Sequence, residues 1–148
     1  MNQLNKIKTT YPFSVMIPVR ITDINYGKHL GHVATIGIFH HARVLFLNDN
    51  GFDEMNIQGY GVILLNSHYS FKKEARFNNQ LLVNVGIGEF SKLKFNFIYQ
   101  ALDKDTGDII SEGSEEHVLF DYEKRKVAKL PDLFLSFCQK NQLDNFQK

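Results

Sequence analysis

Asp23, Asn25, His29 and His32 crowd the short stretch Asp23-Ile-Asn-Tyr-Gly-Lys-His-Leu-Gly-His32. One carboxylate, one carboxamide and two imidazoles are groups that move protons and hold developing negative charge. Asp23 or His29 can activate a water molecule. Asn25 can orient that water or bind a carbonyl oxygen, but it cannot serve as a strong base. Gly27 and Gly31 let a ligand come close to the backbone. The residues that follow read as a helix, so the N–H groups of Gly31, His32 and Val33 fall at its start, where they lack intrahelical partners and suit an oxyanion.

Each of these residues also has a plainer reading. Asp23 after a strand is a common Asx-turn residue, and Asn25-Tyr26-Gly27 is ordinary turn chemistry. His29 fits a polar loop, and His32 fits a capping or first-turn position. His29-x-x-His32 and His40-His41 do not form the paired helical set with a nearby acid that marks a zinc site, so no metal is expected. Cys138 has no adjacent histidine and reads as small core filler. Lys72, Lys73 and Arg76, with Lys92 and Lys94 further on, suit either a phosphate clamp or a solvated strand end.

The elements that position this stretch are legible from hydrophobic period. Phe13–Thr22 alternates apolar and polar residues, a half-buried strand, and Pro18 assigns it to an edge or a bulge. Val33–Leu47 is a helix with apolar residues over most of its circumference, expected to be wrapped. Gly37 in its interior costs about 1 kcal/mol relative to alanine, with close packing against a sheet as the expected reason. Asn50 or Gly51 supplies a left-handed stop. Period two then returns in Val62–Phe71, Gln80–Phe90, Lys92–Asp103 and Ile109–Tyr122. Asp103–Asp108 forms a hairpin turn, Glu89–Lys92 a tight turn or bulge, and Leu133–Gln139 a closing helix. One strand, a long apolar helix and four antiparallel strands give an α+β domain in which the sheet wraps the helix. The exposed edge and bare face of such a sheet predict pairing with a second copy.

The whole chain bounds the function. Its 148 residues suit one domain spanning 1–148. Seventeen Lys and Arg against 16 Asp and Glu give a net charge of +1, which argues against nucleic acid or an anionic membrane as the main partner. A single cysteine excludes an intrachain disulfide framework. Met1–Thr10 is polar and carries Lys6 and Lys8, unlike a secretory signal, and no apolar run approaches the roughly 20 residues of a membrane span. A cytoplasmic protein is the expectation.

The element order and the opening stretch together resemble the hotdog-fold acyl-CoA thioesterases, specifically the 4-hydroxybenzoyl-CoA thioesterase-like group. That family's pattern runs Asp-x-Asp-x-x-Gly-His-x-Asn-Asn, then an aromatic-rich helix closing on Glu-Ala-Arg and a following Leu and Gly. Here Arg20 precedes Asp23, His29 falls on the motif histidine, Ala42-Arg43 closes the helix motif, and Leu47 and Gly51 follow. Lys73–Val83 resembles the family's turn into its third strand and Val127–Pro131 its exit into the last helix, so the likeness spans about 13–137. Three positions depart from the pattern. The second aspartate is Asn25, the glycine before the histidine is Lys28, and the helix glutamate is His41. The resemblance implies a hotdog fold, with a long central helix wrapped by a five-stranded antiparallel sheet. It implies hydrolysis of an acyl-CoA to free acid and CoA, or binding of an acyl-CoA or acyl-carrier conjugate without cleavage. It implies a catalytic group among Asp23, Asn25 and His29. Substrate contacts are implied at Tyr26, Gly31, His32, Val33, His41, Lys72 and Lys73. No cofactor is implied beyond the CoA of the substrate, and the partner is a second copy in a homodimer or homotetramer.

Overall fold

The structure, a computed structural model, describes residues 10–147, so the polar opening segment lies, but for Thr10, outside the described residues. Its elements are β1 (Phe13–Pro18), α1 (His32–Asp49), β2 (Gly61–Phe71), β3 (Gln80–Phe90), β4 (Lys94–Asp103), β5 (Ile109–Asp121), β6 (Lys126–Ala128) and α2 (Asp132–Lys140). The strands form one antiparallel sheet in the order β1-β3-β4-β5-β2. The short β6, which sequence period does not resolve, pairs with Leu119–Asp121 of β5 beyond the point where β4 ends, so it continues β4's line. The sheet therefore has six strands rather than five. β1 lies on one edge, and its Pro18, which has no N–H to give, closes that strand opposite Gln80.

Register places the helix-facing side chains in cross-strand rows. One row runs Val15, Val83, Ala101, Ser111, Phe71, and the next runs Phe13, Val85, Tyr99, Gly113, Tyr69. Onto this face α1 presents Ile38, Phe39, Ala42, Phe46 and Leu47, all buried. Phe39 stacks on Tyr99 at 4.9 Å and on Tyr69 at 6.1 Å. Burying one such ring stabilises by about 1.5–3 kcal/mol. Gly113 makes the arrangement possible, because a Cβ there would lie 2.8 Å from Tyr69 and 3.2 Å from Phe39. α1 ends in a Schellman motif: Phe52 N–H donates to the Leu47 carbonyl and Gly51 N–H to that of Asn48, with Gly51 at φ +81°. Phe52 then packs on Phe134 and Phe137 of α2, closing that end of the core. Cys138 is fully buried there and burial pushes its thiol pKa up, which suits packing and not nucleophilic chemistry.

Two expectations need correction. α1 is not wrapped on all sides, since Val33, Gly37, His40, His41 and Asn48 form an exposed stripe at helical spacing. Gly37 is not a close-packing site either, because nothing lies within 4 Å of where its Cβ would be. The sheet's outer face carries a polar row, in which the Ser14 hydroxyl donates to Asn84 and the Asn84 amide donates to Gln100, beside an apolar row of Met16, Leu82, Leu102 and Ile109. The β2 edge does remain open, with Leu64 and Leu65 both exposed at a bulge.

Candidate active site

The loop between β1 and α1 is closed by its own backbone. Asn25 N–H donates to the His29 carbonyl, Lys28 N–H to that of Asn25, and Ile24 and Leu30 form a bridge. Lys28 sits at φ +66°, the left-handed region, which accounts physically for a glycine preference at that position. Asn25 Oδ1 accepts the Gly27 N–H at 2.9 Å, so its Nδ2 remains as a free donor among the described residues. A Cβ on Gly27 would lie 3.1 Å from both Asn25 Oδ1 and His29 Nε2, so the glycine lets these two side chains close on the loop. Leu30 N–H donates to the Ala75 carbonyl and ties the loop to the segment after β2.

Asn25 and His29 open into a cavity of about 300 Å³. Its base is formed by buried Leu30, Thr35, Ala75, Ile110 and Ser111, and its rim by Asn25, His29, His32, Phe71, Lys72, Lys73 and Glu74. α1 begins at this cavity without a side-chain cap on Gly31. The Gly31 N–H is already donated to the Asp23 carbonyl, so the free first-turn donors start at His32 and Val33. The Asn25 side chain lies over Gly31, with Nδ2 3.5 Å from the position of a Gly31 Cβ. Its amide and the open helix start thus converge. His29 Nδ1 lies 3.3 Å from the Leu30 carbonyl, and Nε2 lies 3.8 Å from Glu74 Oε1.

The other sequence candidates fall elsewhere. Asp23 is buried, and its carboxylate accepts the Arg20 N–H at 2.9 Å and pairs with the Arg20 guanidinium at 3.3 Å. It closes the turn from inside. It lines a different cavity, about 590 Å³, between β1 and α1, together with His41, His40 and Arg20. Asp23 and His41 are therefore not brought together with Asn25 and His29. Tyr26 and Val33 point to solvent. Lys73 pairs with Asp108 at 3.2 Å and Arg76 with Glu74 at 3.5 Å, which leaves Lys72 as the basic rim group without an ion-pair partner among the described residues. A third cavity of about 470 Å³ at the β3–β4 turn is lined by Glu89, Lys94 and Phe146, so of the candidates it holds only Lys94, apart from Lys72 and Lys73.

Deeper along α1 lies a polar cluster that was not read from the sequence. The Arg43 guanidinium donates to Glu54 at 2.6 Å and to Glu115 at 2.9 Å. Glu115 also accepts the hydroxyls of Tyr69 and Tyr99, and His117 Nε2 stands 3.5 Å away. Burial opposes a charge on Glu115. Hydrogen bonds from His117, Tyr69 and Tyr99 and the nearby Arg43 outweigh it and hold its pKa at about 2. Burial, followed by the Glu115 hydrogen bond, pushes Tyr69 up to about 12. Burial lowers the pKa of His117, which lies between Phe95 and Phe97. The signal was present in β5: Ser111, Gly113, Glu115 and His117 alternate onto the inward face, where apolar residues are the norm.

One long helix cradled by an antiparallel sheet, with a polar loop delivering donors to the helix start, defines a hotdog-fold protein. The chain belongs to the thioesterase-like superfamily, whose family model matches residues 19–138. Solved structures agree on the fold. The 1,4-dihydroxy-2-naphthoyl-CoA thioesterase of Synechocystis is 20% identical with a TM-score of 0.80, covering 86% of this chain and 95% of its own. The DHNA-CoA thioesterase of Staphylococcus aureus is 19% identical with a TM-score of 0.75, covering 85% of each chain. A Staphylococcus aureus protein solved in complex with CoA is 18% identical with a TM-score of 0.78, covering 88% of this chain and 85% of its own. No curated protein matches the sequence.

Proposed function

We propose that the protein is an acyl-CoA thioesterase whose reaction takes place in the cavity at the head of α1. The observation that carries this reading is the convergence there of Asn25, His29 and an uncapped helix start. In the reaction, Asn25 Nδ2 and the first-turn N–H groups of α1 receive the thioester oxygen as it gains charge. His29, with Glu74 behind it, removes a proton from water as that water adds to the carbonyl carbon. The carbon–sulfur bond then breaks, the free acid forms, and the CoA thiolate takes up the proton. No group beyond these and the CoA of the substrate is needed. Asp23 is a poor candidate for the base, since its carboxylate is engaged by Arg20. Lys72 is the rim cation best placed for a CoA phosphate. The open β2 edge, with Leu64 and Leu65 exposed, supports a homo-oligomer built by pairing with a second copy.

Hydrolysis of a panel of short acyl-CoAs, followed as free thiol, tests the assignment. His29→Ala is expected to lower kcat by about 10²–10³-fold, within the range for losing a general base. Equal turnover by wild type and variant would remove His29 from the mechanism. One observation favours a second reading: a carboxamide, Asn25, occupies the position where the family's pattern has an acid. Tight acyl-CoA binding with no release of thiol would make this a binding protein of the same fold.

A further inference from the structure

Ser111 is 1% exposed, and its hydroxyl oxygen has no hydrogen-bond partner. A buried hydroxyl left unpaired is costly, so its retention calls for a reason. Ser111 lines the base of the cavity at the head of α1, among Leu30, Ala75 and Ile110. Thr35, the other hydroxyl there, is satisfied by the Gly31 carbonyl at 2.9 Å. The backbone of β5 is irregular immediately beside Ser111. Across β4, Ala101 faces Ser111 while Leu102 faces Ile109, so Ile110 is an extra residue in β5. This bulge breaks the alternation of the strand, and two successive side chains, Ile110 and Ser111, are both buried and both line the cavity. The Ile110 carbonyl fixes the bulge by accepting the N–H groups of Lys72 and Lys73 at 2.8 and 3.2 Å.

We propose that Ser111 is a specificity residue: its hydroxyl hydrogen-bonds a hydroxyl carried by the acyl group, so the site selects short hydroxyacyl thioesters over their unsubstituted counterparts. The inference rests on the thioester reading of this cavity. Asn25, His29 and the helix start lie at the rim and face the reacting carbon, while Ser111 lies at the apolar base, where the acyl group must go. About 300 Å³ is at the small end of ligand cavities, which suits a short chain or one ring. A serine hydroxyl both donates and accepts, so an acyl hydroxyl satisfies it, whereas a methylene in the same place leaves it unpaired.

Binding is measured by calorimetry on the whole protein with non-hydrolysable analogues, in which a methylene replaces the thioester sulfur. The probes are butyryl-CoA against its 3- and 4-hydroxy forms and benzoyl-CoA against its hydroxy forms. In at least one pair the wild type should prefer the hydroxylated member by roughly ten-fold, the scale of one buried hydrogen bond. Ser111→Ala should bring that ratio close to one, and Ser111→Cys, which keeps the volume with a weaker donor, should fall between. Thermal melts show that the variants fold. Equal affinity within every pair, a preference that survives Ser111→Ala, or no binding of any probe overturns the proposal. Hydrolysis of the parent thioesters separates the two readings. Turnover without preference leaves the thioesterase and removes the role of Ser111. Preference without turnover leaves Ser111 as a selector in a protein that binds and does not cleave.

Discussion

Two polar regions flank α1 on its sheet side, and they are built on opposite principles. Around Arg43, charges are taken out of water and paired: Glu115 alone receives Arg43, Tyr69 and Tyr99, and Glu54 receives Arg43 and His40. At the head of α1 the polar groups are underemployed, Asn25 near water and Ser111 buried. Asn25 Nδ2, the first-turn N–H groups and the Ser111 hydroxyl have no partner among the described residues. The Arg43 network is paired except at one buried atom, His117 Nδ1, and it holds its surroundings in one arrangement. An unsatisfied set at a cavity is costly in the free protein and gains its partners on binding. The helix head is therefore the region whose accessible groups are free to meet a ligand, although several perturbed titrations lie at Arg43.

The comparison breaks first, and most severely, if Arg43 is removed. Arg43→Ala leaves Glu115 buried without its cation, and loss of one partner from a buried pair costs about 3–5 kcal/mol. Chemical denaturation should show a loss of that size. A loss under about 1 kcal/mol would mean that the network is solvated and that the contrast drawn between the regions is false.

Acid probes the same network without mutation. The Glu115 pKa is held near 2 against an ordinary 4.5, so between those values the unfolded chain binds more protons than the folded one. The stability that this group contributes is present above about pH 4.5 and is lost as the pH falls toward 2. The lowered pKa of buried His117 acts in the same direction and starts from its ordinary 6.5. Thermal midpoints should therefore decline below pH 6.5 and more steeply below 4.5. In Glu115→Gln the steeper limb should flatten. An unchanged limb would assign acid sensitivity to other carboxylates.

The fold was legible in the sequence because its signals are local. Alternation in Gln80–Phe90, the apolar run after Val33 and the Asn-Gly stop at Asn50-Gly51 each act within a few residues, and the observed elements follow them closely. Part of the site was legible for the same reason, since Asn25, His29 and His32 share one loop and the helix it feeds. Long-range consequences of register were not. Glu115 and His117 face inward beneath Arg43 only because β5 pairs as it does with β4. The bulge at Ile110 brings a second side chain to the cavity beside Ser111, and no residue type marks it. Asp23 illustrates the converse: a carboxylate in the right loop that folding directs to Arg20, on the other side of the turn from His29.

The smallest change in stability should come from the helix head, and it is the sharpest test of the contrast. Asn25 is exposed, and its one side-chain bond is to the neighbouring Gly27 N–H, which water can replace. Asn25→Ala should therefore alter unfolding free energy by about 0.5 kcal/mol or less, the scale of ordinary surface substitutions. The same change removes a donor from the place where a thioester oxygen would gain charge, and loss of such a donor lowers kcat by about 10²–10³-fold elsewhere. Near-native stability with kcat reduced on that scale, and KM much less affected, separates transition-state binding from a structural role. A loss of several kcal/mol would instead make Asn25 part of the framework. The division between a largely paired core network and an unpaired helix head would then have to be redrawn around His29 and Ser111.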